Sequence, residues 1–293
     1  MPPKIEKYQM RLRMESKAEE NRAKPPLQSP DVAETAEFLF SRSLPHRGDS
    51  GSLLLAKRKQ NRAEQYLVKH AYTDCACNEF VYTKLAQAMG YSMPDVLLLR
   101  LSPQEKRPYF ATEYLIAQRY LAVSDPDPSY AKIREQAENW SQYFSFQALY
   151  GITGEGDGVE ILLAEDRKIY RVDTTDAFPV GNYYLDIAGI TQEIGGIRPS
   201  DRIQDRLLSM DFSKTLNVPA CNRLLEQCLQ LDSASRPYFL EPFALLPEIP
   251  ASYIDGFLNT LCYFYPDFIG DYFKRYLSAL QEQCAAYWRA FSR

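Results

Sequence analysis

Two short apolar runs separated by a polar turn lie in the middle of the chain. The runs are Glu160–Ala164 and Ile169–Val172, and residues 165–168 form the turn between them. Apolar runs of this length between polar turn residues predict a buried β-hairpin. An acidic loop precedes the hairpin, and Asp173 follows it directly. The hairpin therefore brings the acidic residues on both of its flanks to one end of two paired strands.

The acidic side chains at this end form a candidate cation site. They are Glu155, Asp157, Glu160 and Asp173. Carboxylates held close together raise each other's pKa unless a cation neutralises them. Oxygen ligands suit a hard cation such as Mg²⁺. The alternative interpretation is a solvated acidic loop beside an ordinary hairpin.

The chain before the hairpin is rich in predicted strands. Apolar runs predict strands at 53–56, 65–70, 95–101 and 108–115. An apolar face with helical spacing predicts a helix over 76–89, with Asp74 as its N-cap. A second, short helix is predicted over 31–42, capped by Asp31. This part of the chain is therefore predicted to form a β-sheet with few helices.

The rest of the chain has a helical pattern. The predicted helices cover 130–150, 202–209, 220–231, 252–263 and 266–291. The first of them ends just before the hairpin. The sequence therefore predicts a mixed α+β protein, with strands concentrated early and helices late.

Composition and charge exclude several classes of protein. At 293 residues, the chain fits one large two-lobed domain or two domains. The net charge of -4 gives no general attraction to nucleic acid or to an anionic membrane. No apolar run is long enough to cross a bilayer, and the first residues do not resemble a secretory signal. Six scattered cysteines predict reduced thiols and a cytoplasmic protein, and two histidines argue against a zinc hydrolase.

Two features of the strand-rich part are candidates for phosphate binding. Residues 48–52 hold two glycines and two serines, which let the backbone approach a phosphate and donate N–H groups. An ordinary turn has the same composition. Lys69 is embedded in an apolar strand, either to protect a sheet edge or to meet a polyanion.

These features together resemble the protein-kinase-like superfamily. They are the glycine loop, the strand lysine, a helix glutamate at Glu79 and the acidic hairpin. More narrowly, the chain is similar to the atypical branch that holds the phosphatidylinositol 3-/4-kinases and the HipA-type kinases. The resemblance covers about residues 46–180. It implies an α+β, two-lobed kinase-like fold with a tail or helix and linker at 1–35, a β-rich N-lobe at 36–117 and a helical C-lobe at 118–293.

The resemblance implies a nucleotide site in the N-lobe. The glycine loop would cover the phosphates of ATP through Gly48, Ser50, Gly51 and Ser52. Lys69 would contact the phosphates, and Glu79, ten residues later, would pair with Lys69. Residues 112–115 look like the hinge between the lobes, where Glu113 and Leu115 would contact adenine.

The resemblance also gives roles to the acids of the hairpin, within 154–179. Glu155 and Glu160 are five residues apart, where kinases keep a catalytic Asp and a metal-binding Asn. Glu155, or Asp157 in its place, would position the attacking hydroxyl. Glu160 and Asp173 would bind Mg²⁺, with Mn²⁺ as a substitute. Residues 173–179 resemble the D-x-x-x-A-F-P pattern of type II phosphatidylinositol 4-kinases.

The chain departs from the kinase pattern where the chemistry would occur. It has glutamate in both places, and it lacks the His-Arg-Asp and Asp-Phe-Gly triplets. The longer side chain of Glu155 shifts its carboxylate by about 1.5 Å, and a misplacement of that size costs roughly a hundredfold in rate. Three functions follow as hypotheses: an ATP-dependent phosphotransferase acting on a hydroxyl of a protein or small molecule, a pseudokinase that works as a nucleotide-binding interaction module, and a nucleotidyltransferase.

Overall fold

The first part of the chain folds into a six-stranded sheet. In a computed structural model the described residues are 31–48, 51–69, 73–100, 114–156, 158–178, 209–261 and 267–291. The strands are β1 (Val32–Glu34), β2 (Phe38–Gly48), β3 (Gly51–Arg58), β4 (Gln65–Lys69), β5 (Val96–Arg100) and β6 (Tyr114–Arg119). Their order across the sheet is β1-β5-β6-β4-β3-β2. β1 runs parallel to β5, and every other neighbouring pair is antiparallel.

Both faces of this sheet bury apolar side chains. Successive residues of a strand point to opposite faces, so Leu98 and Ile116 pack with helix α1 (Thr73–Ala88) in the large core of the protein. Leu97 and Leu99 belong to a smaller apolar cluster on the other face. Helix α1 thus packs against the middle of the sheet, on β5 and β6.

The second part is a small sheet surrounded by helices. Strands β7 (Val123–Asp125), β8 (Glu160–Ala164) and β9 (Ile169–Val172) form an antiparallel sheet in that order. The helices are α2 (Tyr130–Gln136), α3 (Gln142–Thr153), α4 (Val218–Leu231), α5 (Arg236–Leu245), α6 (Ala251–Leu261) and α7 (Asp267–Phe291). Helix α3 is largely buried and packs against α4, α5 and β9, so the strand hairpin rests on the helical core.

The hairpin and most of the elements around it agree with the sequence prediction. Strands β8 and β9 have the predicted bounds. The protein is α+β, with a strand-rich first lobe and a helical second lobe, as predicted. No helix in the described part of the chain is long and apolar enough to cross a membrane.

The predicted helix over 31–42 is wrong. This stretch forms β1, a single 3-10 turn (Thr35–Glu37) and the start of β2. The carbonyl of Asp31 accepts a hydrogen bond from the backbone of Leu98, and its carboxylate binds Lys84 of α1. Pairing with β5 therefore overrides a local pattern that favoured a helix.

The predicted helix over 130–150 is interrupted between α2 and α3. Ala137 adopts an extended backbone, with φ −91° and ψ 131°. Two residues later, Asn139 binds the backbone of β9: its Oδ1 accepts from the N–H of Ile169 at 2.8 Å, and its Nδ2 donates to the carbonyl of Ile169 at 3.0 Å. The break therefore lets one amide side chain fix the edge of the hairpin.

Candidate functional site

Lys69 lies at the centre of a group of charged side chains drawn from three elements. It is the last residue of β4. Side chains along a strand alternate between the two faces of the sheet, so Lys69 lies on the face opposite the one where Tyr66 and Val68 are buried. Its ammonium lies 3.1 Å from both carboxylate oxygens of Glu79, on α1, and 3.2 Å from Oδ1 of Asp173, directly after β9. The side chains of Lys69 and Glu79 are 9% and 2% exposed, whereas Asp173 is 47% exposed.

The charges of these three groups depend on one another. Burial works to lower the pKa of Lys69, but Glu79 and Asp173 together raise it above its usual value, so the ammonium stays charged. Burial raises the pKa of Glu79, while Lys69 opposes the shift. Burial also opposes ionisation of Asp173, yet Lys69 holds the pKa of that carboxyl below its usual value. One cation is therefore shared between a buried and a partly exposed carboxylate.

The turn that carries Asp173 is tied to helix α1. The side-chain amide of Asn78, which is fully buried, donates to the carbonyl of Thr175 at 2.9 Å. The hydroxyl of Thr175 donates to Oδ1 of Asp173 at 3.2 Å. Asn78 precedes Glu79 in the sequence, so one helical turn supplies both the partner of Lys69 and the anchor of the Asp173 turn.

The segment after β9 has an unusual backbone. Asp173 and Phe178 have φ angles of 53° and 65°, in the left-handed region that residues with a side chain seldom adopt. The N–H of Phe178 donates to the carbonyl of Thr153 at 3.0 Å, and its buried ring packs edge-on against Phe273 and Tyr276 of α7. Such conformations persist where surrounding contacts determine them, and they concentrate at functional sites.

Glu155 and Arg171 form an ion pair inside the second lobe. Nη2 of Arg171 lies 2.5 Å from Oε1 of Glu155, and both side chains are 0% exposed. Burial raises the pKa of Glu155 to about 7, although Arg171 opposes the shift. An attacking hydroxyl would need a carboxylate that it can reach. The carboxylate of Glu155 is enclosed and bound to Arg171.

The other predicted residues are distributed around this centre or lie outside the description. Gly48 and Gly51 face each other where β2 meets β3, and Ser52 pairs with Arg47. Glu160 is exposed at the start of β8, opposite Val172. Ser50, Glu113 and Asp157 lie outside the described residues.

The predicted hinge, residues 112–115, is described only from residue 114 onward. Leu115 lies inside β6, opposite Leu99, and this strand continues to Arg119. Residues 120–122 connect the large sheet to the small one. The apolar pattern alone could not place the end of β6, because polar residues Gln118 and Arg119 belong to the strand.

Two residues that the sequence reasoning missed contribute to the site. They are Asn78 and Arg171. A signal for Arg171 was present: it shares a strand face with Ile169, which is predicted to be buried. A buried arginine needs an acidic partner, and this requirement would have pointed to Glu155. Asn78 gives no such signal, because its partner is a backbone carbonyl far along the chain.

Comparisons with known proteins bear on the fold. No protein-family model matches the chain, and no curated protein matches its sequence. Among solved structures, the chain is similar to the Helicobacter pylori proinflammatory kinase CtkA, with a TM-score of 0.51 and 12% identity. The similarity covers 86% of this chain and 95% of that one. At this identity the likeness shows the fold alone: the chain adopts a two-lobed, kinase-like fold.

Proposed function

We propose that this protein is an atypical kinase-like phosphotransferase that uses ATP and Mg²⁺ to modify a hydroxyl of a protein or small molecule. The observation that carries the proposal is the position of Lys69, within 3.2 Å of both Glu79 and Asp173. A charged lysine at the end of an inner strand, held by a helix residue and facing a partly exposed carboxylate, suits the phosphates and metal of a bound nucleotide. The fold that the chain shares with a protein described as a kinase supports the same reading.

The carboxylates of the site fit Mg²⁺ when the phosphates of a bound nucleotide supply the remaining ligands of the ion. In the described part of the chain, no three His, Cys, Asp or Glu side chains are arranged to hold a metal by themselves. Magnesium is usually held by one or two carboxylates together with substrate phosphates and water. Asp173 is the first candidate ligand, and Glu160, which is exposed on the neighbouring strand, is the second.

Bound Mg-ATP would supply the phosphoryl group, and the residues of the chain would bind and orient it. Lys69 would donate hydrogen bonds to the phosphates, with Glu79 fixing its direction. The ends of β2 and β3, at Gly48 and Gly51, would cover the phosphates with backbone N–H groups. Catalysis in such sites consists mainly of positioning and charge stabilisation. Because Glu155 is bound to Arg171, Asp157 is our choice for the carboxylate that orients the hydroxyl.

Labelled ATP tests this proposal. The purified protein is incubated with Mg²⁺ or Mn²⁺ and a mixture of protein and small-molecule acceptors, beside Lys69→Met and Asp173→Asn. Lys57→Met is the matched control, since Lys57 is exposed on the adjacent strand β3. Transfer by the wild type and the control alone supports the proposal, and equal labelling by all four proteins contradicts it. Intact mass separates phosphate transfer from nucleotidyl transfer.

A second candidate function is a nucleotide-binding module that transfers nothing. The buried ion pair of Glu155 favours it, because the usual place of a catalytic carboxylate is engaged. A ligand at a hundredfold excess over its dissociation constant stabilises a protein by about 2.7 kcal/mol. A shift of this size with Mg-ATP, without any transfer, would favour the second candidate. The absence of a shift with every nucleotide would contradict both.

A further inference from the structure

Arg171 connects the loop before β8 to the segment that carries Asp173. Its Nη1 donates to the carbonyls of Glu160 at 2.9 Å and Val172 at 2.5 Å. Its Nη2 donates to Oε1 of Glu155 at 2.5 Å and to the carbonyl of Gly158 at 3.2 Å. These acceptors lie at both ends of loop 155–160 and immediately before Asp173. A single guanidinium therefore fixes the two segments that hold the candidate acids of the site.

Stability alone does not explain this arginine. Both members of the pair have lost their water, and the attraction between them offsets that cost only when the remaining polar atoms are well bonded. Among the described residues, Oε2 of Glu155 and Nε of Arg171 have no hydrogen-bond partner. A pair of apolar side chains of similar volume often stabilises such an interior equally well. The pair is therefore better explained by what it positions.

The chemistry of arginine suits this role. The guanidinium is flat and presents five N–H donors in fixed directions, whereas an ammonium concentrates three donors on one atom. Arg171 uses that geometry to bind one carboxylate and three carbonyls that point in different directions. A lysine at position 171 would keep the charge and lose most of these bonds.

We infer that Arg171 is a positioning residue for phosphoryl transfer, and that Glu155 serves as its hydrogen-bond acceptor and not as the base. The inference rests on the proposed function. It explains why glutamate stands where a kinase would have aspartate, since the additional methylene lets the carboxylate of Glu155 reach Arg171. Arg171 in turn holds Glu155, Gly158 and Glu160 beside Val172, the residue before Asp173, and so fixes the spacing between these residues and the candidate metal ligand.

Three variants test the inference: Arg171→Lys, Glu155→Asp and the apolar pair Arg171→Met with Glu155→Leu. The control is Arg167→Lys, in the same hairpin, because Arg167 forms an exposed ion pair with Glu138. For each folded variant we would measure kcat and KM for ATP, and the hydrogen exchange of the amides of 155–160. Displacing reacting groups by about 1 Å costs roughly a hundredfold in rate.

The inference predicts that all three variants lose about a hundredfold in kcat, while KM for ATP changes less than about threefold. Exchange in loop 155–160 becomes faster in the three variants and stays unchanged in Arg167→Lys. A higher kcat in Glu155→Asp would overturn the inference, because it would make residue 155 the base. Wild-type kcat and exchange in the folded apolar pair would also overturn it. A wild type that neither binds nor turns over ATP would overturn the proposed function, and with it this inference.

Discussion

The Nζ atom of Lys69 lies 3.2 Å from Oδ1 of Asp173, although 104 residues separate the two in the chain. This contact joins the end of the six-stranded sheet to the segment that follows the small hairpin. Glu79, from helix α1, binds the same ammonium. Three elements with no local connection thus meet at one charged group, which is the geometry that a bound polyanion with its cation would use.

Replacement of Lys69 should affect stability and nucleotide binding in separable ways. In Lys69→Met the buried carboxylate of Glu79 loses its partner, so we expect the free energy of unfolding to fall by about 3 kcal/mol or more. In the double variant with Glu79→Leu, most of this loss should be recovered, because no buried charge is left unpaired. Neither variant should be stabilised by Mg-ATP. Urea unfolding with and without Mg-ATP measures both effects.

The control for this experiment is Lys57→Met, which removes an exposed lysine from the neighbouring strand. Its unfolding free energy should stay within about 0.5 kcal/mol of the wild type, and Mg-ATP should still stabilise it. Stabilisation of Lys69→Met by Mg-ATP to the same extent as the wild type would contradict the role given to this lysine.

Asp173→Asn should remove the dependence of ATP affinity on Mg²⁺. The carboxylate is partly exposed and ionised, and the amide that replaces it is nearly the same shape without the charge. We expect Mg²⁺ to tighten ATP binding by at least about tenfold in the wild type, which is about 1.4 kcal/mol, and to have little effect in the variant. Titration calorimetry at several Mg²⁺ concentrations gives the comparison.

Asp166→Asn is the matched control, since Asp166 lies in the exposed turn of the same hairpin. It should keep the response of the wild type to Mg²⁺. If Asp173→Asn and the wild type respond equally to the cation, Asp173 is not a metal ligand.

Loss of the Asn78 amide should loosen the turn that holds Asp173. Asn78→Ala leaves the partly buried carbonyl of Thr175 without its donor, and the loss of such a bond typically costs about 1 kcal/mol. Asn61→Ala, at an exposed turn between β3 and β4, should change the unfolding free energy by less than about 0.5 kcal/mol. Thermal unfolding compares the two variants, and equal stability would mean that the Asn78 contact contributes nothing.

The local parts of the fold were predictable and the long-range parts were not. Strands β8 and β9 follow from apolar runs and a polar turn that lie close together in the sequence. The prediction of a helix over 31–42 is wrong because β1 depends on pairing with β5, more than sixty residues later. The break before α3 depends on Asn139 binding the backbone of Ile169, which no local pattern records.

In the candidate site, too, local features are predictable from the sequence and long-range contacts are not. Lys69, Glu79 and Asp173 carry a local signal, because a charged residue in an apolar setting stands out in the sequence, and the structure brings the three together. The pairing of Glu155 with Arg171 was not recognised, since it requires knowing that both side chains point inward. A kinase-based alignment gives Glu155 the role of an aspartate and does not record its partner.

Stability should depend on pH through Glu155. Burial raises its pKa to about 7 in the folded protein, from 4.5 in an open chain. Between these values the folded protein keeps a proton that the unfolded chain has released, so the contribution of Glu155 to stability is full below about 4.5 and is lost as pH rises to about 7. The slope is at most about 1.4 kcal/mol per pH unit.

Glu155→Gln should lack this dependence. Urea unfolding of both proteins between about pH 5 and pH 8 should therefore show a wild type that loses stability relative to the variant as pH rises. A constant difference between the two across this interval would mean that the Glu155 carboxyl has an ordinary pKa in the folded protein.

A crystal structure with a non-hydrolysable ATP analogue and Mg²⁺ tests the central claim most directly. We predict phosphate oxygens within hydrogen-bonding distance of the Lys69 ammonium and a magnesium ion bound to Asp173. The adenine should lie near residues 120–122. A nucleotide bound elsewhere on the protein, with Lys69 still held between Glu79 and Asp173, would contradict the account.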